Sequence, residues 1–224
     1  ARLGTFEHCR ALLMLMPVPL AYVTETATMV AGRKVVDDLL GQWSASAHLP
    51  EVPRFLNLCL QWRSMAVDRQ VLIAGGDVHE GGWTDVFDGV KGEALKQLTT
   101  SAIANKMTKP HEAVAVTLTR SAASFYDGRS LAGNWKLTHF DWTNFRNYAL
   151  VECLAGDGGD ENDGRIVIQG KLVASDGHNV TECPVHSTRE QPRTGQLVHT
   201  MEEVGKLVKR GSSRVTNIIS GLFG

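Results

Sequence analysis

The sequence has no excess of charge of either sign. Its 23 Lys and Arg residues nearly balance 24 Asp and Glu residues, which gives a formal net charge of -1 at neutral pH. Proteins that bind nucleic acid neutralise many phosphates with basic side chains, and a nearly neutral chain of ordinary composition offers no such field. We therefore expect no nucleic-acid partner.

Cysteine is also sparse. The chain has four cysteines, which lie far apart and form no CxxC pair: Cys9, Cys59, Cys153 and Cys183. This excludes a zinc knuckle and the dense disulfide framework of small secreted domains. We expect the four residues to be buried thiols.

A hydrophobic run long enough to cross a membrane is missing as well. The most apolar stretch, "ALLMLMPVPLAYV" at residues 11–23, is shorter than a membrane span and is interrupted by Pro17 and Pro19. It carries no small-residue cleavage site of the kind that follows a signal peptide. We expect neither feature here, and the compartment stays unknown.

Periodic apolar residues predict a mixed α/β fold. Helical spacing over 35–43 and 55–62 predicts two helices, and strand-like runs are found at 11–23, 70–74, 113–120, 147–155 and 165–175. The first strand should end near its prolines and lie beside the strand at 70–74. A short helix or loop should follow that second strand. We expect one domain over 1–180, a linker over 181–195 and an amphipathic helix over 196–224.

A glycine-rich acidic stretch separates the last two of these strands. Residues 156–164 read "GDGGDENDG", and four carboxylates there could bind calcium: Asp157, Asp160, Glu161 and Asp163. The spacing lacks the EF-hand pattern, so a solvated hairpin tip is the favoured alternative.

The stretch "RQVLIAGGDVHEGG" at 69–82 carries the most distinctive chemistry. An apolar strand runs into a Gly-Gly turn followed by Asp77 and His79, and open α/β sheets bind ligands where their strands end. In extended backbone, residues two apart point to the same side, so both side chains could reach one iron, zinc or manganese ion. The alternative is a turn in which Asp77 caps backbone amides and His79 is a surface residue.

The surrounding sequence resembles a known family. "VLIAGGDVHEGGWTDV", followed by "LKQLTTSAIANK", resembles the second half of PhoD-like metallophosphatases, which belong to the calcineurin-like metallophosphoesterases. "WSASAHLPEVPRFLNLCLQW" and "HFDWTNFRNYALVEC" are similar to stretches on either side of that block. The resemblance covers roughly residues 10 to 155 and is most specific over residues 71–105.

The resemblance implies a fold, a site and a reaction. The fold is one half of a metallophosphoesterase β-sandwich flanked by helices. His79 is implied as a metal ligand, and Asp77 as a ligand or a group that orients one. The site is dinuclear, holding iron, zinc, manganese or calcium ions, and the substrate is a phosphate ester.

One half of the family's domain is not recognised in this chain. Most ligands of the dinuclear site come from that N-terminal half, and its "GNH[DE]" motif does not occur here. One or two ligands cannot hold two metal ions. We therefore expect a chain that is inactive without its missing half and that packs against it, or against another polypeptide, through an open apolar face. The alternative is a catalytically dead structural subunit of an assembly.

Several other residues have two possible roles. His48 could approach the substrate or stand at a helix entry, and His139 with Asp141 could form a coupled pair or a solvent-facing one. One tryptophan could wall the site, although core packing is the default for all three: Trp83, Trp135 and Trp142. The basic, amphipathic segment 196–224 could contact a membrane surface or dock on a protein.

Overall fold

A computed structural model describes residues 6–23, 41–45, 47–100, 131–155 and 165–193. Within them the chain forms one α-helix and nine β-strands. In chain order they are β1 (Ala11–Met16), α1 (Glu51–Ser64), β2 (Gln70–Gly75), β3 (Gly81–Asp88), β4 (Ala94–Thr99), β5 (Trp135–Thr143), β6 (Arg146–Ala155), β7 (Ile166–Ser175), β8 (Val180–Glu182) and β9 (His186–Ser187). The described fold is mixed α/β, with sheets predominating.

The first sheet has five strands in the order β1-β2-β4-β3-β5. β1, β2 and β4 are parallel, while β3 runs antiparallel to β4 and β5. The expectation that the strand at 11–23 lies beside the strand at 70–74 is confirmed, although residues 18–23 are not part of a strand. β1 ends at Met16 because the following Pro17 has no N–H to donate to the ladder.

The second sheet is built around the β6–β7 hairpin, which the sequence predicts correctly. Its ladder runs without interruption from Arg146 opposite Ser175 to Ala155 opposite Ile166. On its other edge, β7 pairs with β8 and β9. The predicted linker 181–195 is described as far as Arg193 and contains β9.

Two apolar cores hold these layers together. The first sheet packs on the second through seven buried side chains: Leu72, Trp83, Leu98, Phe140, Ile166, Ile168 and Leu172. A Cβ on Gly170 would lie 3.0 Å from the Trp83 ring, so glycine permits the close approach of the two sheets. On the opposite face, α1 buries Val52, Leu56 and Leu60 against the sheet.

The helix α1 confirms the predicted helical stripe at 55–62. It begins after Pro50, with Pro53 in its first turn, where proline costs no hydrogen bond. Glu51 lies in the first turn and Arg63 in the last, so both charges complement the helix dipole. Within the described residues, no helix is long and apolar enough to cross a membrane.

A loop at 76–80 does follow β2, but the sequence analysis did not predict the two strands that come after it, β3 and β4. Both faces of these strands are covered, yet they bury polar residues such as Thr84, Asp85 and Gln97. The apolar alternation that marks a strand is therefore weak.

The expectation of four buried thiols is also wrong. Only Cys59 is buried; Cys9 and Cys153 are exposed and Cys183 is half-buried. Cys153 lies in β6, the end strand of the described second sheet, where every residue from Leu150 onward is exposed. Several other predictions lie outside the described residues: the helix at 35–43 except its last three positions, the strand at 113–120, the acidic loop 156–164 and the segment 196–224.

Candidate functional site

Five strands of the first sheet present one common edge. The parallel strands β1, β2 and β4 all end there, at Met16, Gly75 and Thr99. β3 starts at the same edge and β5 ends there, with Gly81 opposite Thr143. We call this the carboxyl edge. It is the side of the sheet where the sequence places its candidate ligands.

The turn at 76–80 connects β2 to β3 and has an unusual backbone. The N–H of Val78 donates to the carbonyl of Gly76, 2.9 Å away, and Asp77 and His79 have φ angles of 73° and 58°. Left-handed backbone is uncommon outside glycine, although Asp and His tolerate it better than most residues. The segment is not extended, so strand alternation does not direct these two side chains, and their assignment as ligands stays a prediction.

The exposure of the turn residues falls along the chain. Asp77 is exposed, His79 is half-buried and Glu80 is buried. The hydroxyl of Tyr22 donates to Glu80 Oε2 over 3.2 Å, which ties the turn to the segment after β1. Among the described residues, no group of three or more His, Cys, Asp or Glu side chains is arranged to hold a metal ion.

Gln97 fixes the segment that leaves β1. Its side-chain oxygen accepts from the N–H of Ala21 at 2.9 Å, and its side-chain nitrogen donates to the carbonyl of Ala21 at 2.8 Å. The amide thereby reproduces one rung of a sheet ladder from a side chain. Because Gln97 is fully buried in β4, the segment 17–23 is held at the carboxyl edge.

His139 is the second buried anchor of that segment. Its Nε2 lies 2.8 Å from the carbonyl of Tyr22, and its Nδ1 lies 2.8 Å from the Thr84 hydroxyl. A carbonyl can only accept, so Nε2 carries a proton and donates to it. His139 is thus a fully buried residue that donates to the segment after β1.

The two sequence-based alternatives for His139 and Asp141 are therefore both wrong. A bulge interrupts the β3–β5 pairing between Gly81 and Trp83, and Asp141 has a φ of 49°. The bulge turns Asp141 away from His139 and toward the second sheet, where it contacts His186.

Trp142 walls the carboxyl edge. A Cβ on Gly82 would overlap its indole ring, so this ring packs directly against the backbone of β3 at Gly82. The ring stacks on Tyr22 at 5.8 Å between centroids, and its Nε1 donates to the carbonyl of Trp83 over 2.9 Å. Trp83 and Trp135 are buried in the core, as expected.

His48 stands at the entry of α1. Its carbonyl accepts from the N–H of Glu51 at 2.9 Å, and its ring lies 5.8 Å from that of Trp43. Of its two sequence-based roles, the helix entry is the one that the structure describes.

A polar cluster between the two sheets was missed by the sequence analysis. We call it the intersheet cluster, and its members are Asp85, Lys96, Asp141, His186, Glu190 and Arg193. They come from β3, β4, β5 and the segment 186–193. No local motif joins residues so far apart in the chain, so the cluster could not be predicted from the sequence.

One half of the intersheet cluster is a buried ion pair. Lys96 Nζ lies 2.6 Å from Asp85 Oδ1, and both side chains are almost fully buried. The N–H of Arg193 donates to Asp85 Oδ2 over 2.6 Å, and its guanidinium lies 4.0 Å from the centre of the Phe140 ring. Burial raises the pKa of the Asp85 carboxyl, although Lys96 and Arg193 act in the opposite direction.

The other half is a histidine between two carboxylates. His186 Nε2 lies 2.6 Å from Asp141 Oδ2, and Nδ1 lies 3.0 Å from Glu190 Oε2. The imidazole meets the rings of Trp83 and Phe140 edge-on. These contacts fasten the segment 186–193 across the two sheets.

Comparisons with protein-family models, with curated proteins and with solved structures find no significant match to this chain.

Proposed function

We propose that the chain forms the C-terminal part of a PhoD-like metallophosphatase domain, and that it hydrolyses phosphate esters only with residues supplied from outside it. The observation that carries the proposal is the turn at 76–80. It stands at the carboxyl ends of three parallel strands, where α/β sheets bind ligands.

The backbone of this turn supports a role beyond connection. Two of its non-glycine residues, Asp77 and His79, are left-handed. Each such residue destabilises the folded chain by about 1–3 kcal/mol. These residues cluster at functional sites, where the surrounding structure holds them in place. Here the surroundings are the buried Glu80 and the following Gly81, whose Cα packs directly against Asn147.

Asp77 and His79 supply the donor types that the proposal requires. A carboxylate and an imidazole suit iron, zinc and manganese, and further ligands would come from the other half of the domain. Bound metal ions would orient the phosphate and activate water for in-line attack. The buried anchors Gln97 and His139 would keep the neighbouring segment 17–23 in place beside the ligand.

Exposed apolar side chains on β1, the end strand of the described first sheet, support the proposal that the domain is incomplete. Ala11 packs between the sheets, so Leu13 and Leu15 lie on the same face of β1. They are nevertheless 44% and 75% exposed. Apolar side chains on an inward face become buried when further strands extend both sheets. We therefore expect the other half of the domain beside β1.

A second candidate is a structural subunit without catalysis. The polar groups of the carboxyl edge bind one another: Tyr22 with Glu80, Gln97 with Ala21, and His139 with Thr84. A network of this kind stabilises a loop whether or not a ligand binds. This observation favours a turn that stabilises the fold and has no catalytic role.

Metal content and phosphatase activity separate the two candidates. The chain is purified from its own cells with the polypeptides that accompany it. Metals are counted by plasma mass spectrometry, and p-nitrophenyl phosphate serves as substrate. The variants are His79→Ala and Asp77→Asn, since asparagine tolerates left-handed backbone and removes only the charge. His8→Ala is the control, because His8 is exposed ahead of β1, at the opposite edge.

For the phosphatase, we expect near-stoichiometric metal in the wild type. His79→Ala should lower metal content and turnover by at least the roughly 10- to 100-fold seen for groups that only orient ligands. Asp77→Asn should lower metal content and turnover by as much if Asp77 is a ligand, and by less if Asp77 only orients a ligand. A wild-type assembly without metal or activity would establish the structural candidate, and full metal content in His79→Ala would refute the ligand assignment.

A further inference from the structure

A short segment fastens the second sheet to the first. Residues 186–193, which we call the strap, begin with β9, which pairs with β7. Arg189 Nε then donates to the Ile166 carbonyl of β7 over 3.0 Å. At the other end of the strap, the N–H of Arg193 donates to Asp85 in β3. The strap therefore contacts both sheets.

His186, the first residue of the strap, has a carboxylate at each ring nitrogen. Its Nε2 lies 2.6 Å from Asp141 Oδ2, and its Nδ1 lies 3.0 Å from Glu190 Oε2. An ionised carboxylate can only accept, and a neutral imidazole has a single N–H. The imidazolium donates to both carboxylates, whereas the neutral ring leaves one nitrogen facing an oxygen with no hydrogen between them. The contacts of His186 are therefore complete only when the ring carries both protons.

The surroundings of this ring make its charge matter. His186 is 5% exposed, and its ring stands at 75° to that of Trp83 and at 90° to that of Phe140. Water has little access to replace a lost hydrogen bond there, and electrostatic interactions are stronger than in water. A change of one proton on His186 should therefore change how firmly the strap is held.

The neighbouring cations do not reverse this balance. Lys96 Nζ and the Arg193 guanidinium lie 5.4 Å and 4.0 Å from the centre of the Phe140 ring. Their charges oppose that of an imidazolium, but they contact the Phe140 ring rather than the imidazole. Asp85 also offsets the charge of Lys96 from 2.6 Å away. The two carboxylates in direct contact with the imidazole therefore have the larger effect.

Asp141, one of these carboxylates, has an unusual backbone conformation. It lies in the bulge of β5 and has a φ of 49°. A non-glycine residue keeps such a backbone where surrounding contacts hold it, and the contact with His186 is one of them. The Cys183 thiol near Asp141 adds no charge at neutral pH, because burial and the Asp141 carboxylate both raise its pKa.

We propose that the strap is a pH-sensitive latch, which protonated His186 closes and which opens when the ring loses that proton. The closed strap supplies two acceptors that the unfolded chain lacks, so closing is linked to proton binding. An imidazole in an unfolded chain loses its proton at about pH 6.5. The latch should be closed below this pH while the carboxylates are ionised, and should open as the pH rises through neutrality. Opening should uncover Trp83 and Phe140.

Hydrogen exchange of the full chain, read by mass spectrometry between pH 6 and pH 8.5, tests the proposal. Rates are corrected for the chemical pH dependence of exchange. The strap amides that donate hydrogen bonds, such as those of Thr188 and Arg193, report whether the latch is closed. Their protection should fall by at least about ten-fold over this range, the effect of losing one hydrogen bond to a charged group. Peptides from β2 and β3 should keep their protection.

His186→Gln removes the titrating group. The strap of this variant should have the same protection at pH 6 and pH 8.5. His178→Gln is the matched control, because His178 is an exposed histidine in the turn between β7 and β8. This control should keep the wild-type fall in protection.

Glu190→Gln distinguishes a proton-dependent latch from a purely structural contact. Glu190 Oε1 accepts from the N–H of Ser187, while its Oε2 contacts His186 Nδ1. Glutamine can keep the first bond with its oxygen and donate to a neutral Nδ1 with its nitrogen. The strap of this variant should therefore stay protected at pH 8.5, where the wild-type strap is open.

Four outcomes would overturn the proposal. The first is an unchanged protection of the wild-type strap between pH 6 and pH 8.5. The second is a wild-type fall in His186→Gln, and the third is a wild-type fall in Glu190→Gln. The fourth is a parallel loss of protection in β2 and β3, which would mean that the whole chain unfolds rather than the strap alone.

Discussion

β3 and β6 are strands of similar length in opposite surroundings. All eight residues of β3 are buried, whereas one of the ten residues of β6 is. β3 has strand neighbours on both edges, and its side chains enter both cores, Val86 on the helix side and Trp83 between the sheets. β6 has one described neighbour, β7.

The burial of these strands does not follow their polarity. β3, "GGWTDVFD", carries a threonine and two aspartates, while β6, "RNYALVECLA", is mostly apolar. The more polar strand lies in the core because its charges find partners there, such as Asp85 with Lys96. The more apolar strand is exposed because it stands at an edge. Position in the described sheet therefore decides which of the two strands is buried.

The largest loss of stability should come from breaking the buried ion pair between Asp85 of β3 and Lys96 of β4. Asp85→Ala leaves Lys96 buried without its partner, and removing one member of a buried pair costs about 3–5 kcal/mol of unfolding free energy. Urea denaturation of the purified chain measures this loss.

Replacing both charges sharpens the same test. Asp85→Leu with Lys96→Met should be close to wild type in unfolding free energy, because burial raises the pKa of Asp85 even with Lys96 beside it. The ionised pair therefore has a high desolvation cost, which an apolar pair avoids. If the double variant is as unstable as the single one, the packing of these side chains matters more than their charge.

This contrast explains what the sequence could predict. α1 and the β6–β7 hairpin follow regular apolar periods, and β1 lies beside β2 as expected. β3 and β4 lack such a period, because buried polar pairs from distant positions replace apolar contacts. The prediction of strands from local sequence fails where charges are neutralised across the sheet.

The candidate site was predictable only in outline. The Gly-Gly after an apolar strand correctly indicates a turn at a sheet edge, with Asp77 and His79 in it. Its left-handed backbone did not follow from the sequence, because Gly76 and Gly81 permit several turns. The role of His139 could not be predicted either, since its bond to Tyr22 joins residues 117 positions apart.

The same substitution, valine to alanine, tests the difference in burial between β3 and β6. Val86→Ala in β3 removes two fully buried methyl groups, which should cost about 2 kcal/mol at about 0.8 kcal/mol per group plus a cavity term. Val151→Ala in β6 removes the same groups from a 37% exposed side chain and should change stability by less than about 0.5 kcal/mol. Equal losses in urea denaturation would show that β6 is buried in solution.

Thiol labelling is the mildest probe, because it compares the two environments without changing the fold. Cys153 on β6 is exposed, while Cys59 in α1 is buried, and burial raises the pKa of the Cys59 thiol to about 11. Only the thiolate reacts, so at pH 8 iodoacetamide should label Cys153 and leave Cys59 unmodified until urea unfolds the chain. Mass spectrometry of the peptides reports both sites. Labelling of Cys59 at the rate of Cys153 in the native chain would mean that α1 does not cover the first sheet.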